Sequence, residues 1–249
     1  MERPLKGRTA LVTGAAKRLG RGVALALAEA GADVVVHYRA SRDGAERAAE
    51  EIRRLGRRAH CLPADLADER QAGDLLDRAT DAVGPVGILV NNASIFPSDT
   101  ILDATCEAVL DSVRLHALAP LMLSRALAGQ KPAPPADVVN LLDSRIHDYD
   151  REHVSYHLGK RMLLAVTRML ALELAPAVKV NAVAPGLILP PEGKDEGYLD
   201  SLAHTNPLHR VGSVESVASA VRYLVESDFV TGQVIYVDGG RHIRGCVYG

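Results

Sequence analysis

Tyr156 and Lys160 stand four residues apart in Tyr156-His157-Leu158-Gly159-Lys160, so on a helix both side chains share one face. A phenol is too weak an acid to exchange protons readily near neutral pH. A neighbouring ammonium stabilises the phenolate and lowers its pKa, which makes the pair a candidate general acid. Asp143 follows the apolar run Asp137-Val138-Val139-Asn140-Leu141-Leu142 and would emerge at the carboxyl end of a strand, adding a carboxylate to the same site. A second constellation is Thr13-Gly14-Ala15-Ala16-Lys17-Arg18-Leu19-Gly20, between the apolar run Ala10-Leu11-Val12 and the breaker-free segment Val23-Ala24-Leu25-Ala26-Leu27-Ala28-Glu29. Gly14 permits a tight turn and Gly20 a close backbone approach, and free N–H groups at a helix start favour an anion such as a pyrophosphate. Arg18 is a basic side chain where such a turn would carry a glycine.

These residues need a frame. Apolar, often β-branched runs recur at 9–13, 33–37, 86–90, 137–142, 178–183 and 233–237, with a weaker one near 58–62. Helix-compatible segments at 19–30, 42–55, 68–83, 104–128, 153–175 and 213–226 separate them. This alternation predicts an α/β fold, a doubly wound parallel sheet of about seven strands with helices on both faces. At 249 residues and 47% hydrophobic content the chain suits a single domain, 1–249, around one core. Lys131-Pro132-Ala133-Pro134-Pro135 reads as a surface turn. Residues 187–207, rich in Pro, Gly and charge, follow a strand at the ligand-binding end of the sheet and read either as a substrate lid or as a variable surface loop.

Net charge of −2 gives no long-range attraction to nucleic acid or an anionic membrane, so neither is expected as a partner. Three cysteines, Cys61, Cys106 and Cys246, form no disulfide or zinc framework. With no stretch near the roughly 20 apolar residues of a membrane span, the expectation is a cytoplasmic protein. Met162 to Leu174 is apolar on nearly every face. One side can pack on the sheet and the other needs a partner, which predicts a homo-oligomer built through this helix. His153 and His157 could share a helix face, but without a third ligand they read as an exposed pair, and no metal is expected.

The Thr13–Gly20 turn, Ala64-Asp65-Leu66, Asn91-Asn92-Ala93-Ser94, Tyr156-x-x-x-Lys160 and Asn181-Ala182-Val183-Ala184-Pro185-Gly186 occur in the order found in the short-chain dehydrogenase/reductase family, which the chain resembles over nearly its whole length. The resemblance implies a Rossmann-like fold, hydride transfer from a nicotinamide, Tyr156 as proton donor and Lys160 holding the ribose while tuning the tyrosine. It further implies Asp65 and Leu66 at the adenine, Asn92, Ala93 and Ser94 along the cofactor, and Pro185, Gly186 and Ile188 at the nicotinamide. Lys17, Arg18 and Leu19 join the two turn glycines around the phosphates, and a homotetramer is implied as well.

Four places look like the pteridine reductase branch: Arg18, His37-Tyr38-Arg39 with Ser41, Ser94-Ile95-Phe96-Pro97, and Asp143 in place of the usual catalytic serine. No acidic residue ends the second strand to accept bonds from an adenosine 2′-hydroxyl, and the basic and hydroxyl groups of His37, Tyr38, Arg39 and Ser41 suit a 2′-phosphate, so NADPH is the expected cofactor. The resemblance implies a pterin substrate touched by Arg18, Ser94, Phe96, Asp143 and Tyr156, with Phe96 stacked on the flat ring. Asp143 carries the most chemical information. An ionised carboxylate opposes the negative charge that develops on a reduced ketone, whereas it can relay a proton to, or stabilise, a C=N group. The expected reaction is therefore NADPH-dependent reduction of a dihydropterin, of dihydrobiopterin or dihydromonapterin type, to the tetrahydropterin. The alternatives are a carbonyl or 3-oxoacyl reductase and a non-catalytic NADPH-binding regulator.

Several residues keep two readings. Arg18 is a phosphate partner or a solvated turn residue, Phe96 a stacking platform or core, and Asp143 a proton relay or a structural aspartate. His116 occupies a position where the family usually has an asparagine, and it either joins a proton relay with its own pH dependence or is satisfied by backbone. The arginines of Arg241-His242-Ile243-Arg244 border a neighbouring subunit's site or are solvated.

Overall fold

A computed structural model of the chain describes residues 4–130, 135–148, 150–191 and 193–246, the side chain of Cys246 excepted. Seven strands among these residues form one wholly parallel sheet: β1 (Thr9–Val12), β2 (Asp33–Tyr38), β3 (Ala59–Pro63), β4 (Ile88–Asn91), β5 (Ala136–Leu141), β6 (Val178–Pro185) and β7 (Val234–Val237). Their spatial order is β3-β2-β1-β4-β5-β6-β7, so the winding reverses between β1 and β4, the switch point at which open α/β sheets bind ligands. Every residue of β1, β4 and β5 is buried, as expected for strands covered on both faces. Helices α1 (Arg18–Glu29), α2 (Arg42–Arg54) and α8 (Val214–Glu226) cover one face around Val12, Val36 and Val90. Helices α3 (Glu69–Val83), α5 (Ala119–Gly129) and α6 (Val154–Glu173) cover the other around Leu11, Leu89 and Val138.

The strands and five of the six expected helices fall where hydrophobic periodicity places them. The segment expected as one helix at 104–128 is instead α4 (Cys106–Val113), a π-helical turn (Arg114–Leu118) and α5, with His116 on the turn. The widened turn lets the segment change phase between α6 and α3, a change that apolar spacing does not report. The 187–207 region holds a short helix, α7 (Glu196–Leu202), capped by Asp195. The surface turn expected at 131–135 lies, apart from Pro135, outside the described residues. Helix α6 is not buried all round: Leu158, Met162, Met169 and Leu172 form an exposed apolar stripe at helical spacing. Among the described residues no helix is long and apolar enough to cross a membrane.

Candidate active site

The glycine turn is held by its neighbours. Gly14 has φ +64°, and a Cβ there would lie 3.0 Å from the Ala93 Cα. Gly20 packs so closely that its Cβ would overlap the Gly14 carbonyl oxygen and the Asn92 amide. Asn92 Nδ2 donates to the Thr13 carbonyl at 2.8 Å, and Thr13 Oγ1 accepts the N–H groups of Asn92 and Ala93 at 2.8 and 3.0 Å. Arg18, standing where such a turn would carry a glycine, has φ +54°, a left-handed conformation that a side chain adopts at some cost. Its guanidinium reaches across the cleft to donate to the Pro190 carbonyl, in the loop after β6. Helix α1 has no side-chain cap and no acidic residue in its first turn, so the N–H groups behind exposed Lys17 and Arg18 suit an anion such as a dinucleotide's diphosphate.

His37 departs from the charge role expected of it. The Gly14 N–H donates to its Nδ1 at 3.0 Å, and its Nε2–H donates to the Ala64 carbonyl at 3.1 Å. Burial pushes its pKa down to about 4, so the ring is neutral and braces the turn. Arg39 is exposed just beyond β2, and it lines a cleft of about 360 Å³ with Asp65, Ile95 and Leu115. Tyr38 and Ser41 are half-buried beside it. Asp65 turns its Oδ1 to the Ala67 N–H, while the side chains of Leu66 and Ile188 belong to the core. Gly186 lets β6 pass Asp238, whose Cβ would lie 2.6 Å from an added Cβ, with Pro185 at the strand end.

Tyr156, Lys160 and Asp143 come together as expected. Tyr156 OH donates to Asp143 Oδ2 at 2.9 Å, and Asp143 Oδ1 accepts the Arg145 N–H at 2.8 Å. Lys160 Nζ donates to the Leu141 carbonyl at 2.6 Å and lies 5.7 Å from the centre of the Tyr156 ring. The electrostatics reverse one expectation. Burial, then the Asp143 charge and its hydrogen bond, hold the Tyr156 pKa well above the usual phenol value, and burial pushes Lys160 down to about 8. The phenol therefore holds its proton and offers it, rather than resting as a phenolate.

Phe96 is 48% exposed, outside the core. Its ring lies 3.8 Å from that of His153 and meets Tyr156 edge-on at 4.7 Å. His153 and His157 are not an exposed pair: His153 Nδ1–H donates to the Pro97 carbonyl, and His157 is buried with Nε2 3.4 Å from Asp150. His116 is buried, and burial with the nearby Lys160 charge holds its pKa well below the usual value, which removes the pH dependence once open to it. Arg241 is half-buried at this chain's own cleft, where it feels the charges of Arg145 and Asp143. Asp99 was not foreseen. It accepts the Ser155 N–H at 3.1 Å and the Ser155 hydroxyl, capping α6 from a distant loop. The available signal is negative, since the residue before α6 is His153 and supplies no cap.

The family model described as Enoyl-(Acyl carrier protein) reductase matches residues 14–242. An uncharacterized oxidoreductase of Mycobacterium tuberculosis is 35% identical over 95% of this chain and 92% of its own. The chain belongs to the short-chain dehydrogenase/reductase family. A 3-oxoacyl-[acyl-carrier-protein] reductase of Aggregatibacter actinomycetemcomitans is 33% identical over 93% of this chain and 98% of its own. The crystal structure of FolM Alternative dihydrofolate reductase 1 from Brucella canis, complexed with NADP, matches with TM-score 0.92 and 32% identity over 100% of this chain and 98% of that one. These relatives share the frame and differ in what their names say they act on.

Proposed function

We propose that this member of the family reduces a dihydropterin, of dihydrobiopterin or dihydromonapterin type, to the tetrahydropterin with NADPH. The observation that carries the reading is the Asp143 carboxylate accepting the Tyr156 proton at 2.9 Å. At a ketone, negative charge grows on oxygen as hydride arrives, and a carboxylate beside it is repulsive. At a C=N group, nitrogen gains a proton, and Asp143, which accepts the Tyr156 proton, can relay it from the phenol to that nitrogen. Similarity to the Brucella dihydrofolate reductase supports the same substrate chemistry.

Reduced nicotinamide, when bound, supplies the hydride. The uncapped start of α1, Lys17 and Arg18 would hold its diphosphate, and Gly14 and Gly20 give the backbone room. Arg39, with no acidic competitor at the end of β2, would meet the 2′-phosphate. Asp143 relays the Tyr156 proton to the substrate nitrogen, ending as the carboxylate it began as, and buried Lys160 stabilises the negative charge left on the tyrosine. Phe96 would cover the ring face turned away from the nicotinamide. The exposed stripe of α6 supports pairing of two copies, to be checked by light scattering behind size exclusion.

NADPH oxidation measured side by side with dihydrobiopterin, dihydromonapterin and a 3-oxoacyl thioester tests the reading. Higher kcat/KM on a pterin is expected, and a preference for the thioester overturns it. The relative that reduces a 3-oxoacyl carrier makes that the second reading.

A further inference from the structure

His116 lies on the π-helical turn, wholly buried beneath the segment that carries Phe96. Three polar groups meet its ring. The Ile95 N–H donates to Nε2 at 3.3 Å and so fixes that nitrogen as an acceptor, and Ser94 Oγ approaches the same nitrogen at 2.9 Å. The ring proton is then on Nδ1, which donates to Ser112 Oγ at 3.0 Å. The ring also meets Tyr156 edge-on at 5.4 Å. Gly159, one turn above the catalytic tyrosine, makes room for it: a Cβ at that position would lie 2.9 Å from His116 Nδ1 and 2.8 Å from the Ser112 carbonyl oxygen.

The far end of the same segment is tied as firmly. Asp99 caps α6 through Ser155, its own N–H donates to the Glu152 carbonyl at 2.9 Å, and His153 donates to the Pro97 carbonyl at 2.8 Å. Phe96 stands between the two ties with half its surface open beside Tyr156. An asparagine at position 116 would be too short to bridge α4 and the Ser94-Ile95 backbone together.

We infer that His116 is a positioning residue for substrate recognition: as a hydrogen-bond node between Ser112 and Ser94-Ile95 it anchors the platform 94–99 and presents the open face of Phe96 to a flat, conjugated ring. Both ring nitrogens are taken up by this bridge, Nδ1 by Ser112 of α4 and Nε2 by the platform, so its task is placement and not proton transfer. The substrate chemistry rests on the function proposed above, whereas the anchoring does not.

Amide hydrogen exchange on the full chain without substrate tests the anchoring. His116→Asn is expected to speed exchange at Ile95 about tenfold while amides within β5 stay as they are, and His116→Gln, long enough to accept from Ile95, is expected to recover most of the protection. With NADPH saturating, the KM for a dihydropterin should rise about tenfold in His116→Asn with kcat changed less than about threefold. Unchanged exchange at Ile95, or a fall in kcat at constant KM, overturns the proposal. If His116→Asn does not fold, imidazole nitrogen shifts of the unaltered chain decide: a proton on Nδ1 is expected, and one on Nε2 overturns the anchoring. An unaltered chain that turns over no dihydropterin defeats the proposed function and leaves the exchange result standing.

Discussion

Asp137 and Asp143 sit at opposite ends of β5, and their surroundings differ in kind. Asp137, at the amino end, is buried between two cations, Arg8 at 2.6 Å and Lys179 at 2.9 Å. Burial still outweighs both partners, so its pKa lies above the usual carboxylate value. Asp143, just beyond the carboxyl end, is half-exposed and takes its hydrogen bonds from a phenol and a backbone N–H. One aspartate is closed within an ion-pair cluster that joins the residue before β1 to β5 and β6. The other faces a cleft, next to a proton held by a reluctant acid. The contrast teaches that an aspartate at the end of a buried strand is left open to a cleft only where the sheet opens, at the carboxyl ends of parallel strands.

The strongest way to break the comparison is Asp143→Ser. Dihydropterin turnover should fall about 100-fold, with stability to denaturant changed by less than about 1 kcal/mol. Full activity would leave Asp143 as structural as Asp137. Acid offers the next test, because the two ends respond with opposite sign. His37, whose folded pKa of about 4 lies below its unfolded value of about 6.5, contributes stability that is present above pH 6.5 and lost as pH falls towards 4, up to about 3 kcal/mol. Buried His116 acts in the same direction. Asp137, its pKa raised, contributes stability that is present at low pH and lost as pH rises through its folded value. Urea unfolding across pH 4–7 should therefore show a loss on acidification that is shallower in His37→Gln, and equal slopes would contradict the neutral brace.

Asp137→Asn inverts the first experiment. It should cost about 2 kcal/mol in urea unfolding, by leaving Arg8 and Lys179 facing a neutral amide, with kcat/KM within about twofold of the unaltered chain. The smallest effect is at Phe96, which no ion pair or strand constrains. Phe96→Leu should raise the KM for a flat substrate about fivefold, the worth of a stacking contact beyond area burial, and leave a non-planar ketone's KM unmoved.

The legible part of the molecule is the part governed by local rules. Strand and helix positions follow from apolar periodicity because each strand of a doubly covered parallel sheet is buried along its length. Tyr156, Lys160 and Asp143 could be grouped from spacing because a helix face and a strand end are predictable places. At His37 residue type suggests charge, while burial against the Gly14 N–H and Ala64 carbonyl decides the protonation state. Tyr156 shows the same limit: spacing supplies the ammonium, but desolvation and the facing carboxylate set the sign of the shift.

By itself the sequence determined the alternation of strands and helices, the glycine turn with its basic substitution, the grouping of Tyr156, Lys160 and Asp143, and the absence of an acidic residue at the end of β2. Only the tertiary structure decided which polar groups are satisfied: Asp99 as the cap of α6, His37 and His116 as neutral braces, Arg18 spanning to Pro190, and the α6 stripe left open. The physical reason is range. Periodicity and turn chemistry act over a few neighbouring residues, whereas desolvation and hydrogen-bond pairing are set by whatever the fold brings alongside, here from residues as far as 172 positions away.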